Sequence, residues 1–546
     1  MNFALDLLGA QPPERLALVE LARDGSRREW SFGEVEECST RMAGALSAHG
    51  VPRGDVVMTL IGNRPEWVLA MMACFRIGAV VLPCTEQLRA KDLRLRLEVA
   101  LPTLIVADER NREQVEASQP SCTVLWVGGE IPPTGAKPPT GSEPLGSTQK
   151  KGCPTRAWGT PISEPPPQHT ELDLSDPALI AFTSGTAGEP KAVVHGQRYL
   201  YGQRVQAEHW LGATAGELVW CTAASGWSKS ARNVFMAPWL MGAPALLHDA
   251  RFDPGERLDL IERERVSVLC MAPTEYRVIA KRATLRALPS LKGMVAAGEA
   301  LNPEVCKAWR DATGLDIRDG YGQTETGQMT GMGIGVPARA GSMGKALPGT
   351  RLSVVDGELV ADPSSVPTFF LGYLGEGVRR SRTKAAAEKT HTPSRDGDGC
   401  DGDGDGDWTI EDRRDGGPWH TGDRVRESDD GYLHFEGRSD DVIISAGYRI
   451  GPFEVESALV AHEAVAEAAA VAAPDEERGA VVRAVVVLRD GYAPSDALAS
   501  ELQEHVKRET APYKYPRIVD FAAELPKTDS GKVRRALLRS QGSRRD

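Results

Sequence analysis

Residues 180–194, IAFTSGTAGEPKAVV, constrain this chain more than any other stretch. The apolar run at 178–182 reads as a buried strand that stops abruptly at Thr183, Ser184, Gly185, Thr186, Ala187 and Gly188. Small and hydroxyl side chains there let backbone N–H groups come close to a ligand, and Lys191 stands just behind, an arrangement suited to a polyphosphate. The spacing is not that of the common phosphate loop. Lys191 follows Pro190 and leads into Ala192, Val193 and Val194, which read as a second strand and not as a helix start. Taken alone, the stretch also fits a Ser/Gly-rich hairpin turn.

The order of what surrounds it narrows the choice. Strand-like runs at 56–61, 79–82 and 103–107 alternate with helix-like runs at 65–75 and 90–99, and further strands follow at 267–272 and 294–297. This is an α/β rhythm, and 546 residues are enough for more than one domain. With 41% hydrophobic and 26% charged residues the composition is that of an ordinary globular protein. A formal charge of −12 argues against a general nucleic-acid partner, and the terminal arginines (Arg534, Arg535, Arg539, Arg544, Arg545) read as a solvated face. No apolar window is long enough to span a membrane and no leader is evident. Nine scattered cysteines without a close pair point to reduced thiols in a cytoplasm.

Two stretches look like inserts. Residues 128–170 are rich in Pro, Gly, Ser and Thr and predict a long surface loop. Residues 379–418 contain DGDGCDGDGDGD, where Asp401, Asp403, Asp405, Gly406 and Asp412 fall near a calcium-loop spacing. The last of these is Asp and not Glu, and no amphipathic helix flanks it, so the composition reads as a solvated acidic insert. After residue 437 the pattern changes to a short strand, a helix at 452–462, apolar runs at 465–473 and 480–488, and two further helices, which predicts a small α+β domain.

Several polar clusters carry chemistry. In GLDIRDGYGQTETG, a polar turn after a short strand holds Tyr321, Thr324 and Glu325. There a hydroxyl can donate to phosphate, a carboxylate can hold magnesium, and a ring can face a base. His420-Thr421-Gly422-Asp423 sets a carboxylate after a glycine turn, suited to ribose hydroxyls, and LPKTDSGKVRR puts Lys532 after a glycine turn at a helix start. The histidines form no pattern that chemistry requires.

Taken together these blocks, with SAGYRIGPFEVESAL and APYKYPR, resemble the adenylate-forming superfamily, and within it the medium-chain acyl-CoA synthetases. The resemblance implies a large multi-subdomain α/β domain over residues 1–437 and a mobile α+β lid over 438–546. It implies two half-reactions, in which a carboxylic acid and MgATP give acyl-AMP and the thiol of coenzyme A then takes the acyl group. The loop from Thr183 to Lys191 would embrace the β- and γ-phosphates. Gly298 and Glu299 would lie near the adenine, walled by Asp319, Gly320 and Tyr321, with Gly322 and Gln323 in the same block. Thr324 would touch the α-phosphate, Glu325 the metal, and Asp423 and Arg438 the ribose. Lys532 would bridge carboxylate and α-phosphate, and the lid would turn about Asp440. After that turn Ala446, Gly447 and Tyr448 would line the pantetheine channel, while Arg449, Arg478 and Lys514 met the CoA nucleotide. Gly322, where acetate-specific relatives carry a bulky aromatic, implies a larger acid, with Trp227 as one pocket wall and Met236 or Trp239 nearby. Two other readings stand beside this one: adenylation with transfer to a carrier protein, and a non-catalytic nucleotide-binding scaffold.

Overall fold

The computed structural model describes residues 1–127, 170–183, 190–299, 301, 303–374, 410–412, 417–439, 441–445, 448–475, 478–510, 512–528 and 532–542. Both insert-like stretches therefore fall outside the described residues, apart from Thr170 and a few positions around 410–412 and 417–418.

The strand Val56–Leu60 lies between Val80–Cys84 and Leu104–Asp108, all parallel and buried along their whole length. That is why the sequence shows unbroken apolar runs there and not alternation. The helix between the first two, Pro65–Ile77, starts on a proline and ends where Gly78 turns left-handed at φ 73°, its N–H donating to the Cys74 and Phe75 carbonyls. It is apolar on every side because both faces are covered. The neighbouring helix Phe32–Ala48 opens with a reciprocal cap: Ser31 Oγ accepts from the Glu34 N–H at 3.2 Å, and the Glu34 carboxylate accepts from the Ser31 N–H at 2.9 Å.

These strands belong to an eight-stranded sheet that also contains Pro177–Phe182 and Ala192–Gly196, paired antiparallel as the sequence predicted. A nine-stranded sheet holds Val219–Cys221, Val268–Met271, Gly293–Ala297 and Ile317–Gln323 side by side and parallel. One hydrophobic core fills the space between the two sheets. In it Trp67 meets Phe235 edge-to-face at 5.7 Å, and the Trp239 indole donates to the Ala17 carbonyl at 2.9 Å. Met236 and Trp239 are fully buried in this core, so the expected second pocket wall is ordinary packing.

A four-stranded sheet of Leu352–Val355, Glu358–Ala361, Trp419–Glu427 and Leu433–Arg438 closes one side. Gly422 is not a turn, as its sequence suggested, but a left-handed residue (φ 71°) inside the continuous strand Trp419–Glu427. Beyond it the chain forms the predicted small unit. A hairpin of Ile443–Ser445 and Tyr448–Ile450 and the helix Pro452–Ala461 precede the three-stranded sheet of Val465–Asp475, Gly479–Leu488 and Ile518–Phe521. This unit has its own core around Val455, Leu459, Val482 and Leu502. The last helix begins at Arg535, three residues beyond Lys532, which instead sits in a turn pinned by a Lys527–Val533 bridge.

Candidate active site

A cleft of about 2160 Å³ opens where the parallel strands of both large sheets end, and the small C-terminal unit forms its far wall. Open α/β sheets place ligands at such carboxyl ends. The strand Ile317–Gln323 runs into the cleft and returns antiparallel as Gly327–Gly331, so that Thr324 and Glu325 occupy the hairpin tip. The Thr324 carbonyl accepts from His195 Nε2 at 2.9 Å, while its hydroxyl lies 3.5 Å from Ser228 Oγ. Burial pushes the His195 pKa down to about 3, so this histidine holds the tip as a neutral donor.

Glu325 accepts from the Tyr373 hydroxyl at 2.9 Å, and Lys191 Nζ lies 5.0 Å from the centre of the Tyr373 ring. The Thr183 hydroxyl accepts from the Lys191 backbone N–H at 2.9 Å, fixing the base of the glycine loop. Ser184, Gly185, Thr186, Ala187 and Gly188 lie outside the described residues. Among the described residues no cluster of three His, Cys, Asp or Glu side chains could cage a metal. A single carboxylate such as Glu325 nevertheless suits a magnesium ion that takes its other ligands from substrate phosphates and water.

On the opposite side Asp423 and Arg438 face each other across paired strands, with Arg438 Nε 3.6 Å from Asp423 Oδ1. Asp423 also accepts from the Tyr321 hydroxyl and from Gln323 Nε2, the latter at 2.9 Å, and Trp419 donates to Gln323 Oε1 at 3.0 Å. Desolvation raises the Asp423 pKa, opposed by the Tyr321 hydrogen bond and the Arg438 charge. Asp319 is buried too, and desolvation raises its pKa as well, against a hydrogen bond from the Gly320 N–H. Gly298, at φ 109°, and Glu299 border the same space; Glu299 accepts from Thr274 Oγ1 at 2.7 Å.

Gly322 and the half-buried Trp227 both line the cleft. A Cβ added at Gly322 would stand 1.8 Å from the Gly327 carbonyl oxygen, so glycine there also lets the hairpin close on itself.

Lys532 comes from the C-terminal unit and enters this cleft. It keeps access to solvent through the mouth, yet protein crowds it closely enough that desolvation lowers its ammonium pKa. Lys229 pushes in the same direction, while Glu299 and Asp423 pull the other way. Sequence reasoning passed over Lys229, which donates to the Ala297 carbonyl at 3.2 Å and would meet a Cβ on Gly298 at 3.1 Å. It also passed over Tyr373 and Arg232. None of the three belongs to a motif that would mark it in the sequence.

The remaining lid residues are elsewhere. Tyr448 is exposed and stacks on Tyr513 at 4.5 Å, Lys514 is ion-paired with Glu454, and the Arg478 N–H donates to Asp475 Oδ1 at 2.9 Å. None of Tyr448, Arg478 or Lys514 lines the cleft. Asp440, Ala446, Gly447 and the Arg449 side chain lie outside what the structure describes.

Residues 7–368 match the AMP-binding enzyme family, and residues 454–532 match the AMP-binding enzyme C-terminal domain. The chain belongs to the AMP-binding enzyme family, in its acyl-CoA synthetase branch. The mitochondrial acyl-coenzyme A synthetase ACSM3 of Homo sapiens is 36% identical over 560 residues, covering 99% of this chain and 89% of that protein. The uncharacterized acyl–CoA ligase YtcI of Bacillus subtilis is 36% identical over 542 residues, 97% of this chain and 93% of that one. Among solved structures, the anthranilate CoA ligase AuaEII in complex with anthranoyl-AMP superposes with a TM-score of 0.80 at 25% identity, covering 100% of this chain and 97% of that one. An acyl-CoA synthetase of Brucella canis gives 0.66 at 32% identity, covering 100% and 94%. Family membership and the alternation of two large sheets with a small C-terminal unit agree with the fold read from the sequence.

Proposed function

We propose that this chain is an ATP-dependent carboxylic acid:CoA ligase that forms acyl-AMP and then acyl-CoA, on medium-chain or aromatic acids, in a cytoplasmic setting and with magnesium. The observation that carries this reading is Lys532, a cation delivered by one unit of the protein into a cleft built by the other, where it feels the charges of Lys229, Glu299 and Asp423.

The chemistry explains why cations gather there. A carboxylate attacking a phosphate ester brings an anion up to an anion, and positioned positive charge in a crevice poor in water offsets that repulsion. Lys532 and Lys191 supply it from two sides, Thr324 offers a hydroxyl to the α-phosphate, and Asp423 with Arg438 holds the ribose. Magnesium at Glu325 would neutralise phosphate charge when bound. The second half-reaction needs a thiol at the acyl carbon, by a path that the nucleotide does not block. A lid turning about Asp440 would withdraw Lys532 and bring Ala446, Gly447 and Tyr448 to the cleft as the lining of the pantetheine channel. Arg449, Arg478 and Lys514 would then meet the CoA nucleotide. In support, Tyr448, Arg478 and Lys514 stand off the cleft while Lys532 is in it, as one site serving two reactions in turn requires. The lid would span residues 438–546.

Acid-dependent exchange of pyrophosphate into ATP, run with and without CoA, tests this. Exchange followed by thioester is the expected result. Exchange with no thioester would point to a carrier-protein acceptor, and no exchange with any acid would leave a nucleotide-binding scaffold.

A further inference from the structure

Among the described residues three arginines are almost fully buried: Arg232 (5% exposed), Arg257 (6%) and Arg483 (9%). Arg257 reaches Glu275 at 3.3 Å and Arg483 reaches Asp520 at 2.6 Å. Arg232 is the exception, for among the described residues no carboxylate forms an ion pair with it, and its Nε is buried without a hydrogen-bond partner. The local sequence could not have supplied one. No Asp or Glu occurs between Glu217 and Asp249. A buried guanidinium is always charged and costly to desolvate, so it is normally matched by an anion.

Its position indicates where that anion comes from. Arg232 opens the π-helical turn Arg232–Met236, a distortion often found at functional sites, and it lines the cleft beside Trp227, Ser228 and Lys229. A Cβ on Gly327 would stand 3.4 Å from Arg232 Nη1, so the guanidinium rests against the hairpin that carries Thr324 and Glu325. Two of the side chains packed around it are neutral. The Tyr199 hydroxyl is hydrogen-bonded to it, and His195, stacked on Tyr199 at 3.9 Å, is kept uncharged by burial. Tyr199 in turn reaches the Ser228 carbonyl at 3.5 Å, and Ser228 Oγ lies 3.5 Å from Thr324 Oγ1. Arg232 is thus a few short contacts from the place where the acid's carboxylate would meet the α-phosphate. The Trp227 side of this wall suits carbon, and the Arg232 side does not.

We propose that Arg232 binds a second anionic group on the acid, close to the reacting carboxylate, and that this chain selects dicarboxylic over monocarboxylic acids of the same length or ring. The inference rests on the ligase reading above and specifies its substrate class. A fork of N–H donors aimed at a carboxylate is the geometry arginine favours. Leaving such a buried group unmatched penalises a substrate that lacks the partner far more than a missing methylene would.

The test compares matched pairs in the pyrophosphate-exchange assay: pentanoate with glutarate, hexanoate with adipate, and benzoate with isophthalate. The wild-type chain should turn over at least one diacid about 10-fold or more faster, as kcat/KM, than its monoacid. Arg232→Met should reverse that order while leaving the KM for ATP unchanged. Arg232→Lys, which keeps the charge without the fork, should retain a reduced preference, and its melting curve guards against a variant that fails to fold. No preference for any diacid in the wild-type chain overturns the proposal. So does an equal loss on both members of a pair in Arg232→Met, which would mark the arginine as structural or as a phosphate ligand. Exchange with monoacids alone would sink this inference and leave the ligase standing, whereas exchange with no acid would remove both.

Discussion

Asp423 illustrates how much one side chain organises in the nucleotide half of the cleft. It gathers the Tyr321 hydroxyl, the Gln323 amide and the Arg438 guanidinium around one carboxylate. Asp423→Asn keeps the shape and removes the charge. Hydrogen bonds to charged groups are worth about 1.5–3 kcal/mol, so the KM for ATP should rise about 10- to 100-fold with little change in melting temperature. An unchanged KM would show that the ribose lies elsewhere. Thr324, Glu325 and Asp423 were legible in the sequence because each sits in a polar block with glycine beside it, a composition that cores do not use. Lys229, Arg232 and Tyr373 were not. Nothing local distinguishes a solitary cation or phenol that solvates a surface from one that faces a cleft.

At the scale of elements, the cleft depends on loops that cross between the two large sheets. Gly226, at φ 91°, lies where a Cβ would stand 2.2 Å from the Cys84 carbonyl carbon and the Thr85 nitrogen. Gly226→Ala therefore meets both a left-handed backbone and a filled space, and should cost about 2–5 kcal/mol in denaturant unfolding. Gly216 supplies the control, since it shares the backbone sign (φ 85°) but has nothing within 4 Å. Gly216→Ala should cost only the backbone part, about 1–2 kcal/mol. Equal effects at the two sites would mean that the contact between the crossing loops is loose. The strands and helices around this crossing followed from periodicity alone, and their ends agree with the sequence reading to within about two residues. Their order across each sheet did not follow. Pro177–Phe182 pairs with Val80–Cys84, nearly a hundred positions earlier, and only packing could settle that.

For the whole molecule the question is how the lid is held. Lys281 of the large unit donates to the Ala466 carbonyl of the small one. Burial, then the charges of Arg489 and Arg277, push its pKa down to about 8 from an ordinary 10.5. If the small unit swings as proposed, its docked form binds fewer protons than its open form across the interval between those values. Linkage then makes docking easier as pH rises through about 8 and level off above about 10.5, with the full penalty present below 8. Energy transfer between dyes on the two units should report a larger docked fraction at about pH 9.5 than at about pH 7.5, and Lys281→Met should flatten the difference. A wild-type signal that does not change with pH would contradict this. The lid's chemical role is tested separately. Lys532→Ala should slow acyl-AMP formation about 10²- to 10³-fold while largely sparing thioester formation from supplied acyl-AMP. Equal loss of both halves would show that the lysine serves more than one step.

The sequence by itself determined which segments are strand or helix and which polar blocks lie at their ends, because periodicity and glycine-marked turns are properties of neighbours along the chain. It also carried the family likeness. Tertiary structure alone decided that Lys532 enters the same cleft as Lys229, that Gly226 lies against Cys84 and Thr85, and that Arg232 is buried with no carboxylate partner among the described residues. Those facts depend on what distant segments place within a few ångströms of each other, and a one-dimensional pattern does not contain that information.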